Sequence, residues 1–135
     1  METVMPRFTE LVMDHFQEPR NVGTLESPDL VGMAGVPGKG RYVLLHVALT
    51  DSRDHIQKAR FRSHGCGPTI ACASVLTELI QGQSLSACQA LQAADLTAAL
   101  GGLPADRQHC AEFVIRALRS ALDGLADSKT RMDAS

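Results

Sequence analysis

The sequence predicts an α+β domain, an antiparallel sheet packed against helices. Two stretches, 42–49 and 56–63, alternate apolar and polar side chains around the turn signal Asp51-Ser52-Arg53-Asp54. Beyond Pro68 the apolar spacing becomes helical. Strands followed by a run of helices place the helices on one face of a sheet. The 135 residues, 44% hydrophobic and 21% charged, are ordinary for one globular domain and exclude a disordered chain. Only 4% are aromatic, with no Trp, so the core has to be aliphatic.

The first helix is expected over Pro6–Phe16, with Pro6 in the first turn and Phe8, Leu11, Val12, His15 and Phe16 on one face. Pro19 and Asn21-Val22-Gly23 end it. Leu30–Val36 reads as a weak strand interrupted by Gly32 and Gly35. In Tyr42–Leu49, Val43, Leu45, Val47 and Leu49 share one face; in Ile56–Ser63, Ala59 and Phe61 point inward and Lys58, Arg60 and Arg62 outward. The result is a meander with one wet face. Pro68–Gln81 is apolar nearly all round, hence a buried helix, with Gly82 at its C-terminal cap. Ser84 caps a short helix to about Leu91, and Asp95 another to Leu100, ended by Gly101-Gly102. A last helix starts near Gln108 and carries the stripe Ala111, Val114, Ile115, Leu118, Ala121, Leu122 and Leu125. The packed domain is expected over 1–126, with 127–135 a polar, flexible tail.

A net charge of −2 and a pI near 6.2 argue against a nucleic-acid binder. No apolar run is long enough to span a membrane, and Met1-Glu2-Thr3-Val4-Met5 lacks a signal-peptide layout, so a cytoplasmic location is expected. In that compartment the four cysteines are thiols, metal ligands or reactive groups rather than disulfides, and no Cys-x-x-Cys pair occurs.

Cys66 lies in His64-Gly65-Cys66-Gly67-Pro68, between a strand and a helix. Two glycines allow a sharp turn there, and the positive potential of a helix N-terminus favours thiolate. Such a sulfur can be a nucleophile, a sulfur acceptor or a metal ligand; the plain alternative is a small apolar residue in a turn. Cys110, in Gln108-His109-Cys110-Ala111, opens the last helix under the same electrostatics, and His109 and Cys110 can reach one metal from the first turn. If the two helix starts converge, they make an anion pocket containing two sulfurs. Cys72 and Cys88 fall at core positions of their helices. His15 belongs to an apolar face, His46 and His55 to the sheet, and His64 neighbours Cys66 without a defined role. Gly35-Val36-Pro37-Gly38-Lys39-Gly40-Arg41 is a loop without the Walker pattern; folded over Cys66, its Lys39 and Arg41 would stabilise thiolate. No nucleophile, base and orienting group stand together, so an enzyme is not expected.

From about Phe8 to Leu125 the chain resembles the NifU/IscU-type iron–sulfur cluster assembly scaffold family. The segments that carry the resemblance are Asp14-His15-Phe16-Gln17-Glu18-Pro19-Arg20-Asn21-Val22-Gly23, Val31 to Arg41, Ala59 through Gly67, Ile70 to Glu78, and Gln108-His109-Cys110. The resemblance implies a SufE/NifU-like α+β fold with a three-stranded antiparallel sheet. It further implies sulfur received from a cysteine desulfurase, assembly of a [2Fe–2S] cluster, and delivery to acceptor apo-proteins, with frataxin-like or chaperone partners. Cys66, His109 and Cys110 are the ligand positions it matches. At the positions of the family's first cysteine and its aspartate stand Lys39 and Arg41, two cations suited to an anion or a partner rather than to a metal. Leu103-Pro104-Ala105-Asp106-Arg107 matches the family's chaperone-binding segment only in part.

A [2Fe–2S] cluster takes four protein ligands, and the matched positions supply three. A homodimer pooling two sites, or a ligand from a partner, would complete the set; zinc would accept three ligands and a water. Three readings follow: a scaffold binding iron, sulfur or a [2Fe–2S] cluster; a divergent relative acting as a binding or regulatory subunit; and a persulfide acceptor partnered with a cysteine desulfurase.

Overall fold

The computed structural model describes residues 7–134, with side chains through 125. The element order is α1 (Glu10–Gln17), β1 (Leu30–Gly35), β2 (Tyr42–Leu49), β3 (Ile56–His64), α2 (Gly67–Ile80), α3 (Leu85–Ala90), α4 (Ala93–Ala99), a 3-10 turn (Ala105–Arg107) and α5 (Gln108–Ala134). The strands form one antiparallel sheet in the order β1-β2-β3, the meander expected from the alternation.

Sheet register follows from burial. Val43, Leu45, Val47 and Leu49 of β2 lie on the covered face, beside Ala59 and Phe61 of β3 and Leu30 and Ala34 of β1. The long helix α5 covers β1 and β2, and α2 covers β3 and packs against α5 and α1. Gly32 explains why β1 looks weak as a sequence. A Cβ at this position would run into the carbonyl oxygen of Ala117 and come within 2.6 Å of the Ala121 amide nitrogen. The strand gives up side-chain packing so that the α5 backbone can approach.

The helical layer departs from the sequence reading at several ends. Helix α1 starts at Glu10, not at Pro6, which lies outside the described residues. Thr9 is its N-cap, and its hydroxyl accepts from the Val12 amide. Of the expected apolar face, Val12 and His15 are buried, whereas Leu11 and Phe16 are 47% and 42% exposed. His15 faces inward because Ser74 Oγ meets its Nδ1 at 2.7 Å. Burial, then the nearby Arg20 charge, hold the His15 pKa below its ordinary value.

The N-cap of helix α4 lies three residues before the expected one. Gln92 is the N-cap, and Asp95 closes a capping box by accepting from the Gln92 amide at 2.7 Å. Helix α5 buries Ala111, Val114, Ile115, Leu118, Ala121 and Leu122, as its stripe predicts. Its backbone runs on to Ala134, past the expected boundary at 126. Residues 127–134 contain neither Gly nor Pro, so nothing in the sequence stops the helix at that boundary. Ser135 lies outside the described residues.

Candidate sulfur site

The end of β3 and the starts of α2 and α5 meet at one corner of the molecule. His64 closes β3, and Cys66 follows as the N-cap of α2, in extended conformation, with Pro68 in the first turn. The glycines on either side act through space rather than through unusual dihedrals, since neither is among the positive-φ residues. A Cβ on Gly67 would press the Phe16 ring at 3.2 Å, and one on Gly65 would touch the Arg41 Cβ at 3.5 Å. These glycines let α1 and the β1–β2 loop close around the thiol. Beside it, Phe8, Val12, Met13, Phe16, Gly67 and Pro68 line an apolar hollow of about 270 Å3.

Cys110 enters from the first turn of α5. Its sulfur lies 3.5 Å from that of Cys66, so the expected convergence of two helix starts is realised in the geometry. The two thiols are not equivalent. Cys66 is exposed and Cys110 is fully buried. Thr69, one turn into α2, sets its hydroxyl 3.2 Å from the Cys66 sulfur. Partial burial works against the Cys66 thiolate. The hydroxyl and amide of Thr69, the Cys110 thiol and the charge of Arg107 together outweigh it and bring the pKa below the ordinary thiol value. Cys110 moves the other way. Burial raises it most, and the neighbouring Cys66 raises it further, against opposing effects of Thr69 and Arg41. The pair therefore favours one thiolate, at Cys66, and one retained proton, at Cys110. Behind them burial pushes the Cys72 thiol up to about 12, with Cys110 and Cys66 adding to it. Cys88, elsewhere in the core, is pushed to about 11 by burial alone. Both are packing residues, as their spacing predicts.

The surrounding polar groups sort clearly. His109 is exposed, and its Nε2 lies 3.8 Å from the Cys110 sulfur. Arg41 stacks its guanidinium 4.0 Å from the centre of the Phe113 ring, which fixes a cation beside Cys110. Lys39 is exposed in the β1–β2 loop, its amide bonded to the Val36 carbonyl at 3.0 Å. His64 is likewise exposed, at the strand end. Sequence reasoning overlooked Thr69 and Arg107. A hydroxyl three residues past an N-cap cysteine was the available signal for Thr69; Arg107 in the turn before α5 had none. The buried Nε of Arg107 has no hydrogen-bond partner among the described residues.

Chemically, the corner offers an exposed nucleophilic sulfur, a protonated thiol behind it and two guanidinium groups. Among the described residues, no group of three or more His, Cys, Asp or Glu side chains is arranged to hold a metal ion. Lys39 and Arg41 supply no lone pair at neutral pH. One copy of this site is therefore short of the four ligands that a [2Fe–2S] cluster takes. No helix among the described residues is long and apolar enough to cross a membrane.

Residues 7–131 match the family model for the NifU-like N terminal domain. The chain is 37% identical over 115 residues to the iron-sulfur cluster assembly scaffold protein IscU of Aquifex aeolicus, covering 85% of this chain and 73% of that one. It is 35% identical over 130 residues to the protein of the same name from Escherichia coli, covering 94% and 98%. A solved structure from Fervidobacterium islandicum, described as a candidate scaffold for the SUF system, superposes with a TM-score of 0.64 at 21% identity. It covers 85% of this chain and 96% of that chain, a likeness of fold.

Proposed function

This chain belongs to the NifU-like N-terminal domain family, and from that premise we propose that it serves iron–sulfur cluster assembly through Cys66, Cys110 and His109. Its role is scaffold-like, and scaffolds of this family are not enzymes. In the proposed sequence Cys66 accepts sulfur from a cysteine desulfurase, iron joins it, and Cys110 and His109 help hold the product until an acceptor apo-protein takes it. Iron, sulfide and the cluster are cargo in this scheme. A second copy or a partner completes the ligand set of any [2Fe–2S] cluster, because Lys39 and Arg41 cannot.

The observation that carries this reading is the 3.5 Å approach of the Cys66 and Cys110 sulfurs at two helix starts. Anaerobic reconstitution with ferrous iron, cysteine and a cysteine desulfurase tests it. Charge-transfer absorption and acid-labile sulfide are expected, accompanied by dimer on a sizing column, and both are lost in Cys66→Ser. Protein that stays colourless as monomer and as dimer overturns cluster holding.

A narrower reading, sulfur acceptance without a stable cluster, is favoured by the exposed, thiolate-prone Cys66 with the Arg107 charge nearby and Arg41 held beside Cys110. Mass spectrometry after incubation with an active desulfurase and cysteine distinguishes it. One added sulfur atom on Cys66, with no iron retained, is its signature.

A further inference from the structure

Resting on the sulfur-accepting reading of Cys66, we propose that Cys66 and Cys110 form an exchanging dithiol that converts bound sulfane sulfur to hydrosulfide and closes as a Cys66–Cys110 disulfide. Three observations carry it. The sulfurs are 3.5 Å apart although the residues stand 44 positions apart and on different helices. A disulfide bond is about 2.05 Å long, so closure needs a movement of about 1.5 Å, within reach of side-chain rotation at the exposed N-cap cysteine. Accessibility orders the two thiols, since Cys66 faces solvent and Cys110 is fully buried. A protein or small-molecule persulfide can reach only the first. Cys72, the other thiol packed behind this corner, is also fully buried and cannot take the first step.

The chemistry balances without an outside redox partner until the last step. The Cys66 thiolate attacks the outer sulfur of a donor persulfide. A bond forms between Cys66 and that sulfur, the donor's sulfur–sulfur bond breaks, and the donor leaves as thiolate. Cys66 now carries a persulfide whose outer sulfur lies on the side from which the donor came. Cys110 lies on the other side and attacks the Cys66 sulfur. The Cys66–Cys110 bond forms, the bond to the outer sulfur breaks, and hydrosulfide leaves toward solvent while the Cys110 proton is released. The two cysteines lose two electrons and the sulfane sulfur gains them. Thiol–disulfide exchange depends on which sulfur is attacked and on access, and the arrangement satisfies both conditions. A dithiol reductant returns the site to its starting state. The exchange delivers sulfide, the oxidation level at which sulfur enters a cluster, and each chain completes it once per reduction.

The test uses reduced protein, freed of reductant under anaerobic conditions, with glutathione persulfide as the probe. Hydrosulfide is assayed, intact mass is measured, and peptides are mapped without reduction. The expected result is one hydrosulfide per chain, released together with the loss of two hydrogens and a Cys66–Cys110 cross-linked peptide, all reversed by dithiothreitol. Cys110→Ala is expected to stop halfway, with one added sulfur on Cys66 and no hydrosulfide burst. Cys72→Ser is expected to behave as the parent protein. A parent protein that keeps the added sulfur on Cys66 and forms no disulfide overturns this inference while sustaining sulfur acceptance. A cross-link that maps to Cys72 also overturns it. Failure of both the parent and Cys110→Ala to take up sulfur removes the underlying reading as well. Because the first arm needs no substitution, a folding defect at buried Cys110 does not blunt the test.

Discussion

The reactivity of Cys66 is set one turn further along the chain. Thr69 is fully buried, and its hydroxyl lies 3.2 Å from the Cys66 sulfur. A donor aimed at a thiolate favours the charged form. Replacing it by the nearly isosteric valine, Thr69→Val, should raise the Cys66 pKa. The thiolate then forms at higher pH, so the pH profile of iodoacetamide alkylation moves upward and the rate at neutral pH falls several-fold. Cys110 is buried and contributes little to this readout. Alkylation followed by peptide mass spectrometry checks it, and an unmoved profile would show that the Thr69 amide, the Cys110 thiol and Arg107 set the thiol without the hydroxyl. Cys66 was legible in the sequence because a glycine-flanked cysteine between strand and helix has few structural reasons to be there. Thr69 was not, because a threonine in an apolar helix also reads as packing, and only its orientation separates the two uses.

At the scale of elements, alternation and capping carried most of the information. The expected bounds of β2 match those of the structure because four β-branched or leucine side chains on one face leave a single register. Helix α1 was harder. Its apolar residues satisfy a helical period, yet Leu11 and Phe16 stay half-exposed while His15 turns inward to Ser74. Periodicity reports apolar character, and a buried hydrogen bond to a partner 59 residues away lies outside it. Gly32 shows the same limit more sharply. As a sequence feature it weakens a strand; in the fold it is a point at which the α5 backbone lies directly against β1. Gly32→Ala should therefore destabilise the protein by about 1–3 kcal/mol, the usual range for overpacking, or by more because backbone atoms rather than side chains are struck. The denaturant midpoint measures this. A variant as stable as its parent would mean that α5 can ride up on the sheet at no cost. Since Cys110 is carried by α5, such a shift would also disturb the thiol pair.

At the scale of the whole molecule, the convergence of Cys66 and Cys110 is a product of topology that no local pattern encodes. The sequence marks two helix starts; the antiparallel meander, with α2 and α5 on one face, brings them to the same corner. Arg41 reaches that corner from a third direction, the β1–β2 loop, which also carries the exposed Lys39. Arg41 is held there by the Phe113 ring and lies beside Cys110, so its cation opposes the arrival of iron as much as it favours anionic sulfur. If these two side chains are what keep a single copy of the site short of a full ligand set, then replacing both with ligands should strengthen retention. The double substitution Lys39→Cys and Arg41→Asp adds a thiolate and a carboxylate and removes two positive charges. Its cost to the fold is small, about 0.5–1 kcal/mol for the lost cation–π contact, and circular dichroism verifies that the helices persist. After anaerobic reconstitution with iron and sulfide, the double variant should keep its visible absorption against an added chelator for at least about ten times as long as the parent, equivalent to about 1.4 kcal/mol of barrier. Arg41→Asp alone should gain less, since it removes a repulsion but leaves the thiolate set short by one. A folded double variant that bleaches as fast as its parent would place the obstacle elsewhere, in the spacing of Cys66 and Cys110 themselves, and would leave sulfur transfer as the chemistry for which this corner is built.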